Sequence, residues 1–191
     1  PPASSSAASD VYKRQEVDHA IAAFRPRGSA ELIAELAFPL PARTIMGLIG
    51  VPVADLDRVQ RWSDDLATFI GHSTDPGRYE RAHEALGAMA EYFHVLAERR
   101  RESPEPDLMS ALVHASDESG ALTRDELVYN ALYLLFAGHE TTTNLIGNGL
   151  YHLLRHPGEL ARLRAAPELI GQAVEEVLRF DSPSPAVVRI V

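Results

Sequence analysis

The stretch LVYNALYLLFAGHETTTNLIGNGL, Leu127 to Leu150, decides how the rest of the chain is read. It is apolar on nearly every face, which predicts one long buried helix rather than an amphipathic surface helix. Into its middle are set His139, Glu140, Thr141, Thr142, Thr143 and Asn144. Gly138, Gly147, Gly149 and the three consecutive threonines weaken the same helix. A chain that breaks its local rules in the centre of its longest apolar element does so where chemistry is expected. Leu134, Ala137, Gly138, Thr141 and Leu145 fall on one side at three-or-four spacing. Ala137 and Gly138 leave space beside the backbone. Thr141 can return its hydroxyl to the Ala137 carbonyl, which tends to bend a helix. Glu140 adds a carboxylate that is costly there unless paired or functional. Two readings fit this helix: a kinked core element whose threonines bond locally, and a proton-delivery groove beside a flat cofactor.

The whole chain has room for such a site. Its 191 residues suffice for one domain with a real core, and 46% hydrophobic with 24% charged is an ordinary globular balance. The net charge of −9 and the absence of a basic cluster argue against nucleic acid or an anionic membrane as partner. No cysteine is present, so these residues supply no disulfide, no thiolate nucleophile and no thiolate metal ligand. No signal peptide is evident. The apolar run Leu127 to Gly138, interrupted by Asn130, is too short to span a bilayer. A cytoplasmic protein is expected.

Both ends depart from the rest. The chain opens PPASSSAAS without Met, and DVYKRQ follows at Asp10 to Gln15. That hexapeptide resembles the translation of one frame of a common transposon-derived sequencing adaptor. Residues 1–15 are therefore expected to be an artefactual or disordered leader, and the domain to occupy residues 16–191. At the other end, Ala186 to Val191 reads as a strand without a partner, which points to truncation there too.

Between the ends, helical signals dominate. Ser29 can cap a short helix from Ala30 to about Ala37, ended by Pro39 and Pro41. A second helix starts at Pro41 and stops at Gly50. Asp55 to Ile70 forms a third, with Leu56, Val59, Trp62, Leu66, Phe69 and Ile70 as its apolar face. Asp75-Pro76-Gly77 marks a turn. Arg78 to Arg101 is long and amphipathic, striped by Ala82, Leu86, Met89, Phe93 and Leu96. Its closing Arg99, Arg100 and Arg101 suit a solvated C-terminal end. Asp107 to Ala115 is short. Thr123 and Glu126 form a capping box that opens the decisive helix, which runs to about Arg155 before His156-Pro157-Gly158. Glu159 to Arg164 and Pro167 to Phe180 complete the chain. The fold class is mainly α, with strand only near the C-terminus.

Spacing argues against a metal site. His139-Glu140 begins like a zincin helix, but that motif needs His at 143, where Thr143 stands. Glu80/His83 and Glu91/His94 are Glu-x-x-His pairs, yet both lie on one helix about 16 Å apart and cannot share a di-iron site. Glu176 and Arg179 share a helix face at i, i+3, with Glu175 as a second possible partner for the arginine.

These features together resemble the cytochrome P450 family of the soluble bacterial type. AGHETT at Ala137 to Thr142 is similar to that family's small-Gly-x-acid-Thr motif. EEVLR at Glu175 to Arg179 resembles its Glu-x-x-Arg helix, followed by RFDSP. ELAFPLPARTIMGLIGVP and RRRESPEPDLMSALV resemble its inter-helix stretches. The resemblance covers about Glu16 to Val191 in order and implies the central portion of that fold, a long buried helix with others around it.

Much follows from the resemblance by implication alone. The cofactor would be heme b (iron protoporphyrin IX), with O2 as co-substrate, and the reaction the monooxygenation of a small hydrophobic organic molecule. Ala137 and Gly138 would line the oxygen side of the heme, Thr141 would hydrogen-bond the oxygen activated there, and Glu140 would relay protons. Glu176 and Arg179 would be a structural pair on the other side, and Arg189 would meet a heme propionate. Leu134, Phe69 and Ile70 would face substrate. Electrons would come from a ferredoxin and its reductase or a similar donor. The family's axial ligand is a cysteine, absent here, so these residues alone are expected to be inactive. The competing class is a non-enzymatic, all-α domain that binds a small ligand, which would also show amphipathic helices and one kinked apolar helix.

Overall fold

The computed structural model describes residues 4–71, 74–120 and 122–184. Its elements are helices α1 (Ser4–Phe24), α2 (Pro39–Ile49), α3 (Leu56–Ile70), α4 (Arg78–Glu102), α5 (Leu108–Ser119), α6 (Arg124–Arg155), α7 (Pro157–Ala165) and α8 (Ile170–Phe180), with short 3-10 and π-type turns between. Among the described residues there is no strand. The strand expected at Ala186 to Val191, and Arg189 with it, lie outside them. Helix α1 runs through residue 15, the boundary expected for a leader, and none of its side chains from Val17 to Phe24 is buried.

Two compact units divide the chain at Pro41/Ala42 and Glu140/Thr141, so α6 passes from one into the other. The unit Ala42–Glu140 holds the main core. Its α3 and α4 pack together across the turn at Asp75-Pro76-Gly77, and α4 packs on α5. Phe93 and Met89 on α4, Met46 and Ile49 on α2, Met109 on α5 and Leu127 and Leu135 on α6 are all essentially sealed from solvent. Each large apolar side chain so buried contributes about 1.5–3 kcal/mol. On α4 the stripe widens to include Ala85 and Ala97, whereas Leu86 lies at its margin, 37% exposed. On α3 the buried row is Val59, Ser63 and Leu66.

Local signals set the helix ends. Asp107 caps α5 by accepting a hydrogen bond from the Ser110 N–H at 2.8 Å. The Glu126 carboxylate accepts from the Thr123 N–H at 2.8 Å, and the Thr123 hydroxyl accepts from the Glu126 N–H at 3.2 Å, which is the expected capping box. Gly50 and Gly120 close their helices with positive φ. Of the closing arginines of α4, Arg99 is exposed as expected, whereas Arg100 and Arg101 depart from a solvated end. Arg100 is only 12% exposed and donates to Asp107 at 2.5 Å and to the Gly50 carbonyl at 3.2 Å. Arg101 binds Asp117 and Glu98. Both tie the end of α4 to neighbouring elements because carboxylates and a free carbonyl lie within reach.

The second unit joins the described residues up to Pro41 to those from Thr141 onward. Here Ile33 fills the space that a side chain at Gly147 would need, and Val177 of α8 lies against Gly149. Asn148 donates to the Asp181 carbonyl at 3.2 Å and His152 Nε2 donates to the Asp181 carboxylate at 2.8 Å, fastening the end of α8 to α6.

Candidate functional site

Helix α6 carries 32 residues, about 48 Å of continuous α-helix. Its first half is covered on one side only. Leu127, Val128, Ala131, Leu132, Leu135 and His139 are buried, each three or four residues from the next or beside it. The opposite face shows Tyr129 at 56%, Tyr133 at 66% and Leu134 at 37% exposure, then Gly138 and Thr141, also exposed, with Ala137 half-buried between. The helix is apolar on nearly every face, but it is enclosed on one.

The expected residues therefore share a surface. Ala137, Gly138 and Thr141 form a strip of small side chains ending in a hydroxyl, and Leu134 stands one turn before it. Glu140, half-buried, lies on the helix beside the strip. Tyr129 and Tyr133 belong to the same face and were not singled out from sequence; their spacing of four and eight residues before Ala137 is the signal that places them there. Gly138 has a second neighbour. A Cβ built on it would stand 2.8 Å from Ile45 Cγ1 and 3.0 Å from Ile45 Cδ1 on α2. Its missing side chain thus admits Ile45 of α2 against α6 at that point.

His139 is a core residue. It is fully buried, and its Nδ1–H donates to the Leu135 carbonyl at 2.6 Å, which fixes the tautomer because a carbonyl only accepts. Burial pushes its pKa below the usual imidazole range, against a smaller opposing effect of the Leu135 bond. Phe136 meets the ring edge-on at 6.2 Å. Among the described residues no group of three or more His, Asp or Glu could hold a metal ion, and Glu80, His83, Glu91 and His94 all lie along α4.

Arg179 makes two parallel hydrogen bonds to Glu176, at 2.8 and 2.7 Å, and none is shown to Glu175. The fork holds the Glu176 carboxyl below its usual range and raises the guanidinium. Both side chains remain largely exposed, at 60% and 68%. Phe69 and Ile70 end α3, where Phe69 meets Tyr79 edge-on at 5.4 Å. Their exposures are 37% and 56%.

The small-residue strip suits a flat, rigid group. No bulky side chain rises from Ala137, Gly138 or Thr141, and Ile45 of α2 approaches the strip at Gly138 while Thr141 remains exposed. These residues fit the oxygen side of a heme. They include no thiolate to hold its iron.

A family profile described as cytochrome P450 matches residues 66–172, more than half of the chain and including the whole AGHETT segment. The chain is 45% identical to the cytochrome P450 monooxygenase PikC of Streptomyces venezuelae, over 87% of its own length and 38% of that protein's. It is 42% identical to the vitamin D(3) 25-hydroxylase of Pseudonocardia autotrophica, over 87% of its length and 40% of that protein's. Among solved structures it superposes on the myxobacterial cytochrome P450 CYP267B1, determined with myristic acid, with a TM-score of 0.83 and 40% identity, covering 92% of this chain and 43% of that one. The chain spans less than half the length of the curated relatives it matches.

Proposed function

The chain belongs to the cytochrome P450 family, and we propose that it forms the oxygen-side portion of a heme monooxygenase acting on a small hydrophobic organic substrate. The observation that carries this reading is the small-residue α6 strip of Ala137, Gly138 and Thr141, which lies inside the matched segment. When bound, heme b would supply the activation of O2 for insertion of one oxygen atom into a C–H bond. The reading requires an axial cysteine from outside the 191 residues, and the chain by itself is expected to be inactive.

The chain's own residues would do the rest. Ala137 and Gly138, presenting no bulk, would let the heme lie beside the helix. Thr141, on the same face, would donate a hydrogen bond from its hydroxyl on the oxygen side and hand on a proton. Glu140, half-buried beside it, would take protons from solvent and reload the hydroxyl. Tyr133 and Leu134, one turn earlier, would bound the substrate, and Tyr129 would do so one turn further out. Phe69 and Ile70 would reach substrate only from the end of α3. Glu176 and Arg179 would support the opposite side, and Arg189 a propionate. Reductant would come from a ferredoxin and its reductase or a similar donor in the cytoplasm. No helix among the described residues is long and apolar enough to cross a membrane.

The test uses the longer gene product. Its reduced carbon monoxide complex should show the red-shifted Soret band of a thiolate-ligated heme; without that band the reading fails. In the same protein Thr141→Ala should consume reductant while releasing peroxide in place of product. Unchanged coupling would remove the proton role of Thr141 while leaving the family membership untouched.

A further inference from the structure

The unit Ala42–Glu140 sets the chain's only tryptophan against a tyrosine. Trp62 on α3 and Tyr92 on α4 meet edge-on with ring centres 5.7 Å apart, and Phe93, sealed in the core, meets Tyr92 edge-on at 5.7 Å. The Tyr92 hydroxyl donates to one oxygen of the Asp55 carboxylate at 2.8 Å. The other oxygen lies 3.8 Å from Arg58 Nη1. The Arg58 guanidinium stands 5.5 Å from the Trp62 ring centre and 5.7 Å from that of Tyr92. One cation, two electron-rich rings and one carboxylate thus form a single cluster.

The cluster divides the two rings by their redox chemistry. Tyr79, Tyr129, Tyr133 and Tyr151 are more than half exposed, whereas Tyr92 is half-buried and its proton already points at a base. Burial, and after it the Asp55 hydrogen bond, push the Tyr92 pKa above the usual phenol range, so the side chain stays a phenol at neutral pH. Loss of an electron makes a phenol O–H strongly acidic, so its oxidation is easiest where a base is in place to accept that proton. Loss of an electron from an indole instead leaves a cation in the ring. The Arg58 guanidinium is attracted to the neutral rings and repels that cation. A hole is therefore disfavoured on Trp62 and favoured on Tyr92, where the proton can leave for Asp55.

We propose that Trp62, Tyr92 and Asp55 form a proton-coupled one-electron relay, which takes up an oxidising equivalent from a small radical oxidant and holds it as a tyrosyl radical. The oxidant removes one electron from Trp62, and the indole N–H proton goes to water. One electron then passes from Tyr92 to Trp62 across their contact. The phenol proton passes to the Asp55 carboxylate, and the indole nitrogen recovers a proton from water. The products are an intact indole, a neutral tyrosyl radical and a neutral carboxyl, which returns its proton to water. A hydrogen-atom donor such as a thiol or an enediol then restores Tyr92. The relay keeps the oxidising equivalent off the chain's only indole. None of its residues belongs to the α6 strip, so the inference is independent of the monooxygenase reading.

The test is pulse radiolysis of the 191-residue chain with azide radical, which oxidises indole in preference to phenol. The tryptophanyl absorption should decay as the tyrosyl absorption grows, at a first-order rate that depends on neither protein nor buffer concentration. Tyr92→Phe keeps the ring and removes the hydroxyl, and the first-order growth of the tyrosyl signal should disappear. Asp55→Asn keeps an acceptor for the hydrogen bond but removes the base. It should slow the transfer at least about tenfold and make the rate rise with buffer concentration. Both replacements are close in shape to the native side chains, so helix content by circular dichroism should not change. A tyrosyl signal unchanged in Tyr92→Phe would put the acceptor on another tyrosine. An unchanged rate in Asp55→Asn would leave the carboxylate without a part in the transfer. Tryptophanyl decay that scales with protein concentration in the unmodified chain would mean reaction between chains. Each of these three results would overturn the proposal.

Discussion

Gly138 and Ile45 are in contact where no side chain at 138 could fit: a Cβ there would approach Ile45 Cγ1 to 2.8 Å. The glycine of the AGHETT segment is therefore a packing requirement of α2 against α6, whatever its role toward a cofactor. Gly138→Ala gains about 1 kcal/mol of helix propensity but forces aside Ile45, a half-buried side chain packed against the core, costing about 1–3 kcal/mol. The net expectation is a small loss of stability in urea unfolding. In an Ile45→Ala background the clash is gone, and the same substitution should become stabilising. A change of sign between backgrounds measures the contact; the same effect in both would show that Ile45 is not what the glycine accommodates.

Gly50, Arg100 and Asp107 form a second closed arrangement. Gly50 has φ +94°, a Cβ on it would overlap the Asp107 carboxylate, and its carbonyl accepts from Arg100. Arg100 and Asp107 are 12% and 6% exposed. Removing one partner of a buried pair leaves the other charge unpaired, so Arg100→Ala should cost about 3 kcal/mol. Gly50→Ala, which combines backbone strain with the overlap, should cost at least about 2 kcal/mol. Thermal unfolding of both variants checks this, and values within error of the unmodified chain would refute the clasp.

Ser63 offers a prediction of opposite sign. It is fully buried on α3 and its hydroxyl has no hydrogen-bond partner among the described residues. Burying a lone hydroxyl costs about 1–3 kcal/mol, and alanine removes it with little loss of volume. Ser63→Ala should raise the urea midpoint. A lowered midpoint would mean that the hydroxyl is bonded in solution.

Helix positions were legible because period, caps and Pro/Gly punctuation agree along most of the chain. The Thr123–Glu126 box and the Asp107 cap fix their helices at the residues the sequence indicates. What stayed hidden depends on which partner covers which face. Nothing in the spacing of α6 says that Tyr129 and Tyr133 stay exposed while Leu127 and Val128 are enclosed. The arginine run at the end of α4 reads as solvated until α5 brings Asp107 and Asp117 beside it. Resemblance to a family supplied the meaning of AGHETT; periodicity alone left a kinked core helix and a reactive groove equally open.

The Glu176–Arg179 fork separates structure from assembly. Exposed pairs at i, i+3 add little to stability because water screens them. Its pH dependence has a definite sign. The depressed Glu176 carboxyl favours the folded chain above the usual carboxylate range, and that contribution is lost as pH falls through its lowered value. In the 191-residue chain Arg179→Ala should leave the unfolding midpoint unchanged at neutral pH. In the longer gene product the same substitution should reduce heme content if the pair supports heme assembly. Loss of stability in the short chain would instead make the fork part of its core, contrary to its exposure.

His139 gives the final test, because among the described residues it is the one histidine sealed from solvent. Its pKa is lowered in the folded chain by burial, so between the lowered value and the ordinary imidazole value of about 6.5 the unfolded chain binds more protons than the folded one. The neutral ring's contribution is then complete above about pH 6.5 and declines as pH falls below it. Urea unfolding between about pH 7 and pH 5 should show stability decreasing toward acid. His139→Phe removes the titrating group while retaining a ring of similar shape, although the donation to Leu135 is lost. Its absolute stability is secondary; the slope of stability against pH should be shallower than that of the unmodified chain. Parallel slopes would mean that the folded chain accommodates the imidazolium, and that the middle of α6 opens to water more readily than its closed packing shows.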